Sequence, residues 1–450
     1  MAEETITAPS PSRDGRLDRR VLSRNRAHQH LRCSGCSALI PPIPRHPPER
    51  RLCRANFPAV TLVTVPVRAT KRGDERTPLT GNYDVIVCGA SFAGLAAARE
   101  LAGSGADVLV IDRYEIGERQ TSACAAPTGW LRVLGLEESM RQTFRELVVH
   151  TPHTTVRFDL PWTFSTFDYR TLCQLLWEGC DARFETAKVE GRAADADDGM
   201  IGIVTDRGEL RAPLVVDCLG WRRVLGSGAN VQPPEATLSR GLEVHPGGSG
   251  EDLEIWIERD VIPAGYGWSF PATDEVRVGV GSFDPRHHVK EPTVALAERL
   301  ERESANYQGN WIPHRLRPAT DAGVFFAGDS AGHCLPLTAE GIRTAWYFAI
   351  ACGRELRAVH EGRKGRTTAL ADYAAFSSGH RWKFESMLRV QRLVPRVPPR
   401  MLSTALNQME SKRFIDWSFG HYLEIAPPEF AAAMNATGGS ASRIAEPVAA

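Results

Sequence analysis

Residues 84–113, DVIVCGASFAGLAAARELAGSGADVLVIDR, constrain the fold of this chain more than any other stretch. An apolar run of strand length at 83–88 stops at Gly89, and residues 95–102 are rich in the helix formers Ala, Leu, Arg and Glu. Gly103 and Gly105 end that helix, and the β-branched run at 108–111 predicts a second strand that is buried on both faces. This strand–helix–strand order predicts a doubly wound α/β domain with a dinucleotide site.

The small residues of this turn each meet a steric requirement. Gly89 permits the tight turn, and Gly94 lets the helix pack against the strand. Ser91 stands where the fingerprint has its second glycine, and it is small enough to leave room for a pyrophosphate at the helix N-terminus. Asp112, with Arg113 beside it, is placed to contact a ribose. The motif does not distinguish NAD from FAD.

Composition excludes several classes of protein. The 450 residues include 54 acidic and 54 basic side chains, whereas a nucleic-acid binder usually has a basic excess. No apolar run is long enough for a transmembrane helix. The ten cysteines are scattered, which predicts reduced thiols and a cytoplasmic protein, with peripheral membrane contact left open. The oligomeric state is not predicted.

Residues 1–80 differ from the rest of the chain. They hold 15 Lys and Arg against 7 Asp and Glu, and ten of the 30 prolines. Such a segment is expected to be a disordered extension. It contains four residues of the types that bind zinc, namely His28, His30, Cys33 and Cys36. A second ligand pair at regular spacing is missing from the sequence, so we predict no metal site.

A second motif lies at 323–356, GVFFAGDSAGHCLPLTAEGIRTAWYFAIACGREL. An apolar strand at 324–327 is followed by Asp329, which is expected at the strand end, facing the crevice. Residues 338–341 are expected to start a helix whose apolar residues recur at helical spacing. Its N-terminus would then point back toward the first motif and stabilise negative charge there. The alternative is an ordinary helix start with Asp329 as a turn residue.

These two motifs resemble those of FAD-dependent enzymes. The Gly89-x-Ser91-x-x-Gly94 opening occurs in FAD monooxygenases and related flavoproteins, and GDSAGHCLPLTAEGI is similar to the flavin motif of aromatic hydroxylases, flavin halogenases and geranylgeranyl reductases. The resemblance implies FAD as the cofactor, with Asp329 at the ribityl chain and Gly341 and Ile342 at the flavin ring. The ending Glu-Gly-Ile is most similar to the reductases.

A third stretch, GYGWSFPATDEVRVGVG at 265–281, is similar to the Tyr-x-Trp-x-Phe-Pro signature of geranylgeranyl reductases. In that family it borders the substrate cavity. Strand alternation places Tyr266, Trp268 and Phe270 on one face, where they would form an apolar wall for a large hydrophobic substrate. Plain core packing is the alternative.

Two further residues have roles that only the resemblance implies. Reductases of this family carry a cysteine near the flavin at the distance of Cys124, although Ala125 here replaces their usual glycine. Cys124 and Tyr266 are therefore the candidate catalytic proton donors. For Cys124 the alternative is a small apolar residue that packs within a loop. Arg170 corresponds to an arginine that approaches the cofactor; an exposed surface arginine is the alternative.

The predicted architecture is a Rossmann-like FAD-binding domain with an inserted antiparallel-sheet substrate domain and a helical C-terminal tail. The cofactor domain is assigned to 81–150, 200–230 and 315–360, the substrate domain to 151–199 and 231–314, and the tail to 361–450.

The resemblance implies an oxidoreductase that reduces carbon–carbon double bonds of an apolar, prenyl-type small molecule, with NAD(P)H or another reductant as electron donor. A monooxygenase or halogenase-like enzyme and a non-catalytic flavin- or lipid-binding protein are the alternatives. Leu219, which stands where hydroxylases have an acid, disfavours a standard hydroxylase.

Overall fold

The computed structural model describes residues 77–120, 122–193, 199–228, 231–233 and 235–432. The predicted extension up to residue 76, with His28, His30, Cys33 and Cys36, lies outside the described residues, as does the tail beyond 432. The strands are β1 (Gly81–Asn82), β2 (Val85–Cys88), β3 (Val108–Asp112), β4 (Ala125–Pro127), β5 (Met140–Thr151), β6 (Thr154–Phe167), β7 (Arg183–Thr186), β8 (Val189–Arg192), β9 (Ile201–Thr205), β10 (Gly208–Ala212), β11 (Leu214–Asp217), β12 (Leu238–Val244), β13 (Leu253–Trp256), β14 (Gly265–Pro271), β15 (Val276–Ser282), β16 (Gln308–Pro313), β17 (Thr320–Asp321) and β18 (Val324–Phe326). The helices are α1 (Phe92–Glu100), α2 (Thr128–Val133), α3 (Tyr169–Glu178), α4 (Lys290–Arg299), α5 (Ile342–His360), α6 (Arg366–Gly379), α7 (Arg381–Leu393), α8 (Pro399–Gln408), α9 (Lys412–Leu423) and α10 (Glu429–Ala432).

A parallel sheet forms the first layer. Its order is β17-β18-β11-β2-β3-β7, and only β17 runs antiparallel to its neighbour. The side chains of β2 and β11 are buried throughout, as expected for strands covered on both faces. Helices α1 and α5 pack against each other beside this sheet. The carboxyl ends of β2, β3, β11 and β18 therefore meet at one edge, where ligands bind in open α/β sheets.

An eight-stranded sheet forms the second layer, in the order β16-β12-β15-β14-β13-β5-β6-β4. All of its neighbours pair antiparallel except β13 and β5. Helix α4 covers one face, where Leu296 packs with Val278 and Val280 of β15. A four-stranded sheet, β1-β10-β9-β8, completes the strands of the described residues. The predicted fold class is confirmed, whereas the predicted domain limits stay a prediction.

Helical boundaries at the two motifs differ from the sequence-based expectation. Helix α1 begins at Phe92, three residues before the predicted start, because Ser91 already has the extended backbone of an N-cap residue. Helix α5 begins only at Ile342, because Ala339 takes a left-handed conformation, with φ of 52°. Residues 336–341 are consequently a loop, which we call the flavin loop after the family resemblance that predicts a flavin contact for Gly341.

Helices α6 to α10 form the described part of the C-terminal tail. Helices α8 and α9 pack on β6 of the second layer, and α10 packs on α2 and α5. Among the described residues, no helix combines the length and the hydropathy that a membrane span requires.

The contact between α1 and α5 yields a stability prediction. A Cβ at Gly353 would lie 2.6 Å from the carbonyl oxygen of Ala97 and 2.6 Å from Cβ of Glu100. Gly353→Ala should therefore push the helices apart and lower the free energy of unfolding by about 1–3 kcal/mol. Gly379→Ala is the matched control, since no atom lies within 4 Å of its added methyl. Equal melting temperatures of the two variants would contradict the prediction.

Candidate active site

The glycine-rich turn after β2 leaves no room for side chains. Gly89 has φ of 109°, and a Cβ there would lie 2.4 Å from the carbonyl oxygen of Cys218. A Cβ at Gly94 would lie 1.7 Å from the carbonyl oxygen of Gly89. The Asp112 carboxylate accepts hydrogen bonds from the Ala90 amide at 2.8 Å and the Tyr114 amide at 3.0 Å. The turn is thus fixed by close backbone contact and by the acid at the end of β3.

Ser91 is held by a residue that sequence reasoning missed. The Tyr169 hydroxyl donates to Ser91 Oγ at 3.0 Å, and Tyr169 is buried beside Phe92. Its neighbour Arg170, the predicted cofactor contact, is exposed, with its Cα beside Gly117 of the loop after β3. Arg113 is also exposed, with its guanidinium 5.0 Å from the Tyr114 ring centre. Both arginines therefore lie next to the end of β3, outside the turn itself.

The two motifs meet at Gly328, directly before Asp329. A Cβ at Gly328 would lie 3.0 Å from Cβ of Ala93 in the first turn of α1. Gly341 is close to the same point, because a Cβ there would lie 3.7 Å from Asp329 Oδ1. The structure therefore brings together residues that are more than two hundred positions apart, as the sequence analysis expected.

Asp329 has the properties of a ligand acceptor. Its carboxylate has no hydrogen bond from any described residue, and burial raises its pKa to about 6 although Arg317 opposes the shift. Asp217 at the end of β11 is the opposite case: its carboxylate accepts from the Leu219 and Leu225 amides and from Ser330 Oγ. Asp217 is fully buried and therefore needs partners within the chain, whereas Asp329 is half-buried at the crevice edge. An unpaired acceptor at the crevice edge fits the hydroxyl-rich ribityl chain of FAD.

The C-terminal segment fixes the flavin loop. Arg343, fully buried, pairs with Glu340 at 2.6 Å and donates to the carbonyls of Tyr422, Leu423 and Ala426. The Tyr422 hydroxyl donates to Glu340 and lies 2.9 Å from Thr338 Oγ1. The signal that sequence reasoning overlooked is an arginine within the apolar face of α5.

Tyr266, Trp268 and Phe270 lie on one face of β14, with neighbouring ring centres 6.1 Å and 6.4 Å apart. We call these three residues the aromatic wall. The Tyr266 hydroxyl donates to the Thr338 carbonyl oxygen at 2.6 Å, so the wall reaches the flavin loop.

Glycines support the middle of the wall. A Cβ at Gly279 would lie 2.2 Å from Cζ2 of Trp268, and Cβ atoms at Gly281 and Gly241 would lie 3.4 Å and 3.7 Å from the same indole. The indole thus lies on strands β15 and β12 where they carry no side chains. The opposite face of this sheet already packs on α4, so the aromatic wall is on the face away from that core.

A buried polar cluster connects the wall to Cys124. Glu243 accepts from Trp268 Nε1 at 3.2 Å and from Gln308 Nε2 at 3.0 Å, and it pairs with His245 at 3.0 Å. Gln308 Nε2 also lies 3.2 Å from the Ser122 carbonyl oxygen, which accepts from Cys124 Sγ at 3.1 Å. Sequence reasoning missed this cluster because its members come from distant strands.

Cys124 itself is fully buried and has φ of 53°. Arg277 donates to the carbonyls of Ala123, Cys124 and Phe167, which holds the loop in place. Burial raises the pKa of the Cys124 thiol well above its usual value, and burial also raises the pKa of Tyr266. Both groups therefore stay protonated at neutral pH.

Comparison with known proteins agrees with this geometry. Residues 84–158 match the family of FAD dependent oxidoreductases. The chain is 24% identical over 329 residues to digeranylgeranylglycerophospholipid reductase 3 of Methanosphaera stadtmanae, covering 66% of this chain and 83% of the relative.

Two solved structures share the fold. A geranylgeranyl bacteriochlorophyll reductase-like protein of Thermoplasma acidophilum superposes with a TM-score of 0.66 at 16% identity, covering 80% of this chain and all of that one. A probable FAD-dependent monooxygenase of Pseudomonas aeruginosa gives a TM-score of 0.56 at 19% identity, covering 70% and 97%. The family match, the site geometry and the reductase relatives lead to one conclusion: this chain is an FAD-dependent oxidoreductase that resembles the geranylgeranyl reductases.

Proposed function

We propose that the protein reduces carbon–carbon double bonds of an apolar, prenyl-type substrate, with NAD(P)H or another two-electron donor as reductant. Bound FAD, once reduced, supplies a hydride for one carbon of the double bond. The other carbon takes a proton from the protein. Relatives of this chain are named as reductases of geranylgeranyl compounds, which supports this substrate class.

The aromatic wall carries the proposal. Three large rings in a row, joined to the flavin loop by the bond from Tyr266 to the Thr338 carbonyl, offer an apolar surface beside the flavin site. The glycines beneath Trp268 let its indole lie close to β15 and β12, so that the outer side of the ring can face an extended hydrocarbon. Glu243 satisfies the indole N–H from the side, so the ring faces can contact apolar groups without leaving a buried donor unpaired.

Two protein groups are the proposed proton donors. Tyr266 and Cys124 both hold their protons at neutral pH, and each donates to a backbone carbonyl, of Thr338 and Ser122 respectively. Rotation of the hydroxyl or thiol away from its carbonyl would deliver this proton to the second carbon of the double bond, while the first carbon accepts the hydride. Tyr266→Phe and Cys124→Ala should therefore separate the two: the true donor's variant should lose turnover while retaining flavin.

The function is tested by single turnover without oxygen. The protein, reduced with dithionite, should be reoxidised by geranylgeranyl diphosphate or its glycerophospholipid derivative, and the product should contain two more hydrogen atoms per reduced bond. Oxygen consumption coupled to product formation, with no anaerobic reaction, would identify a monooxygenase. Absence of both reactions across prenyl substrates would favour a binding protein.

The position of Trp268 yields a prediction about substrate affinity. The methyl added by Gly279→Ala would lie 2.2 Å from the indole of Trp268, so the ring would be displaced from its position on β15. The Michaelis constant for a long apolar substrate should rise roughly tenfold, since loss of about 1.4 kcal/mol of ring contact changes affinity by that factor. Gly281→Ala is the control, because its Cβ would make an accommodated contact at 3.4 Å. Flavin content should be normal in both variants, and equal Michaelis constants would argue against the wall as a substrate surface.

The carboxylate of Asp329 yields a prediction about stability and flavin retention. Its pKa is raised in the folded state, so the charged carboxylate destabilises the flavin-free protein at neutral pH; this cost begins to shrink as the pH falls below about 6 and is gone below the ordinary pKa of an aspartate. Asp329→Asn should therefore melt higher than the wild-type flavin-free protein at neutral pH, with the difference shrinking in acid. The same variant should retain less FAD, because the ribityl hydroxyls lose a charged acceptor.

Asp217→Asn is the matched control for this prediction. Both of its oxygens already accept bonds within the chain, so replacement should lower the melting temperature of the flavin-free protein. Normal flavin retention in Asp329→Asn would contradict the prediction and would mean that Asp329 only shapes the turn.

A further inference from the structure

Exposed apolar side chains are concentrated on the C-terminal helices. Among the described residues, most of the large hydrophobic side chains that remain exposed lie between 381 and 423, where they are between 45% and 65% exposed. They are Trp382, Val390, Leu393, Met401 and Trp417. We call these five residues the apolar tips. Monomeric surfaces normally show such residues singly, so their concentration on one segment of three helices indicates an interaction surface.

Basic side chains accompany each apolar tip. Residues 381–423 contain eight Lys and Arg against three Asp and Glu, although the whole chain is neutral. The basic residues next to a tip or three to four residues from it are Arg381, Lys383, Arg389, Arg392, Arg396, Arg400 and Arg413. The segment thus alternates apolar and cationic groups over its exposed surface.

Helix α7 shows how the two sets share a face. Phe384 and Leu388 are buried on its inner side. Trp382, Arg389 and Leu393 are spaced by seven and four residues, which puts them on one outward face. Helix α9 repeats the arrangement, with Ile415 buried and Trp417 exposed. Each helix is held to the body by one side and presents a mixed apolar and basic side to solvent.

We propose that this surface of α7, α8 and α9 docks on an anionic phospholipid bilayer. Tryptophan, leucine and methionine tips enter the boundary between headgroups and acyl chains, while the neighbouring arginines bind lipid phosphates. A second copy of the chain is a poorer occupant, because a symmetric contact would place the basic surface against itself. A nucleic acid would pair with the arginines but would offer nothing to the aliphatic tips.

The docking surface is connected to the flavin loop through the chain. Lys383 Nζ lies 3.3 Å from the Glu424 carbonyl oxygen, and the adjoining Tyr422 bonds to Glu340 of the flavin loop. Directly after Leu393, an apolar cleft opens between residues 394–402 and the end of β13; its lining includes Ile257, Ile262, Val394, Val397 and Leu402. A bilayer on this surface would therefore lie next to this cleft. The docking itself does not depend on the proposed reduction.

The test is flotation of the full-length holoprotein with phosphatidylcholine vesicles that contain or lack phosphatidylglycerol. The wild type should float with the anionic vesicles, and brominated acyl chains in those vesicles should quench its tryptophan fluorescence. Trp382→Ser with Leu393→Ser, and separately Arg389→Gln with Arg392→Gln, should each weaken binding by about tenfold or more. Tyr307→Ser is the matched control, since Tyr307 is an exposed aromatic with Lys290 Nζ 5.7 Å from its ring but lies outside the surface.

The outcomes separate the possible occupants. Equal vesicle binding by the wild type and both double variants, or no binding by the wild type, overturns the proposal. A wild-type dimer that the apolar double variant dissociates would show that a second copy covers the face, and binding of single-stranded RNA without vesicle binding would show a nucleic-acid surface. The assay needs no turnover, so failure of the proposed reduction would leave its result intact.

Discussion

The close approach of three backbone segments at the carboxyl edge of the parallel sheet is the constraint on which the rest of the molecule depends. Gly89 lies against Cys218, Gly94 against Gly89, and Gly328 against Ala93. Any side chain at these points would force β2, β11 and α1 apart, because the clashes are with backbone or with packed atoms. The free helix N-terminus of α1 and the unpaired Asp329 carboxylate are consequently held at one edge, where a dinucleotide can contact both.

Buried arginines connect the outer parts of the chain to this edge. Arg343 joins the flavin loop to residues 422–426, and Arg277 joins β15 to the loop of Cys124. Each guanidinium is compensated by one carboxylate and several backbone carbonyls, which is what a buried charge requires. Removing such a cation would leave several acceptors unpaired at once, so the arginines hold loops that have little apolar packing of their own.

The candidate active site combines a rigid polar edge with an apolar wall. A chain of hydrogen bonds joins the indole N–H of Trp268 to the thiol of Cys124. It runs through the Glu243 carboxylate, the Gln308 amide and the Ser122 carbonyl. The wall therefore keeps its geometry through bonds that lie beside the rings. Their faces remain available to a hydrocarbon. In the proposed function, such an arrangement would separate orientation of the substrate, by the aromatic wall, from retention of the cofactor, by the polar edge.

Local patterns were sufficient for part of this structure. The glycine-rich turn, the two strands around it, the acid at the end of β3 and the alternation of Tyr266, Trp268 and Phe270 all follow from short-range sterics and from strand periodicity. Helix boundaries were harder to predict. Helix α5 was expected to start within residues 338–341 but begins at Ile342, because Ala339 adopts a left-handed backbone conformation that the neighbouring residues do not predict. Sequence reasoning missed Tyr169 for a similar reason, since the burial of Tyr169 and the exposure of Arg170 depend on the layer that α3 covers.

By itself the sequence determined the order of the strands and helices at the two motifs and the residue types that a dinucleotide needs, because these are set by contacts within about thirty residues. Only the tertiary structure decided which groups are unpaired or supported. Asp329 and Asp217 both end strands of one sheet, yet the second is saturated by its neighbours and the first is not. Likewise, the indole of Trp268 can lie on the sheet only because Gly279, on the neighbouring strand, leaves space for it. Such differences arise between segments distant in the chain, where no local pattern records which atoms meet.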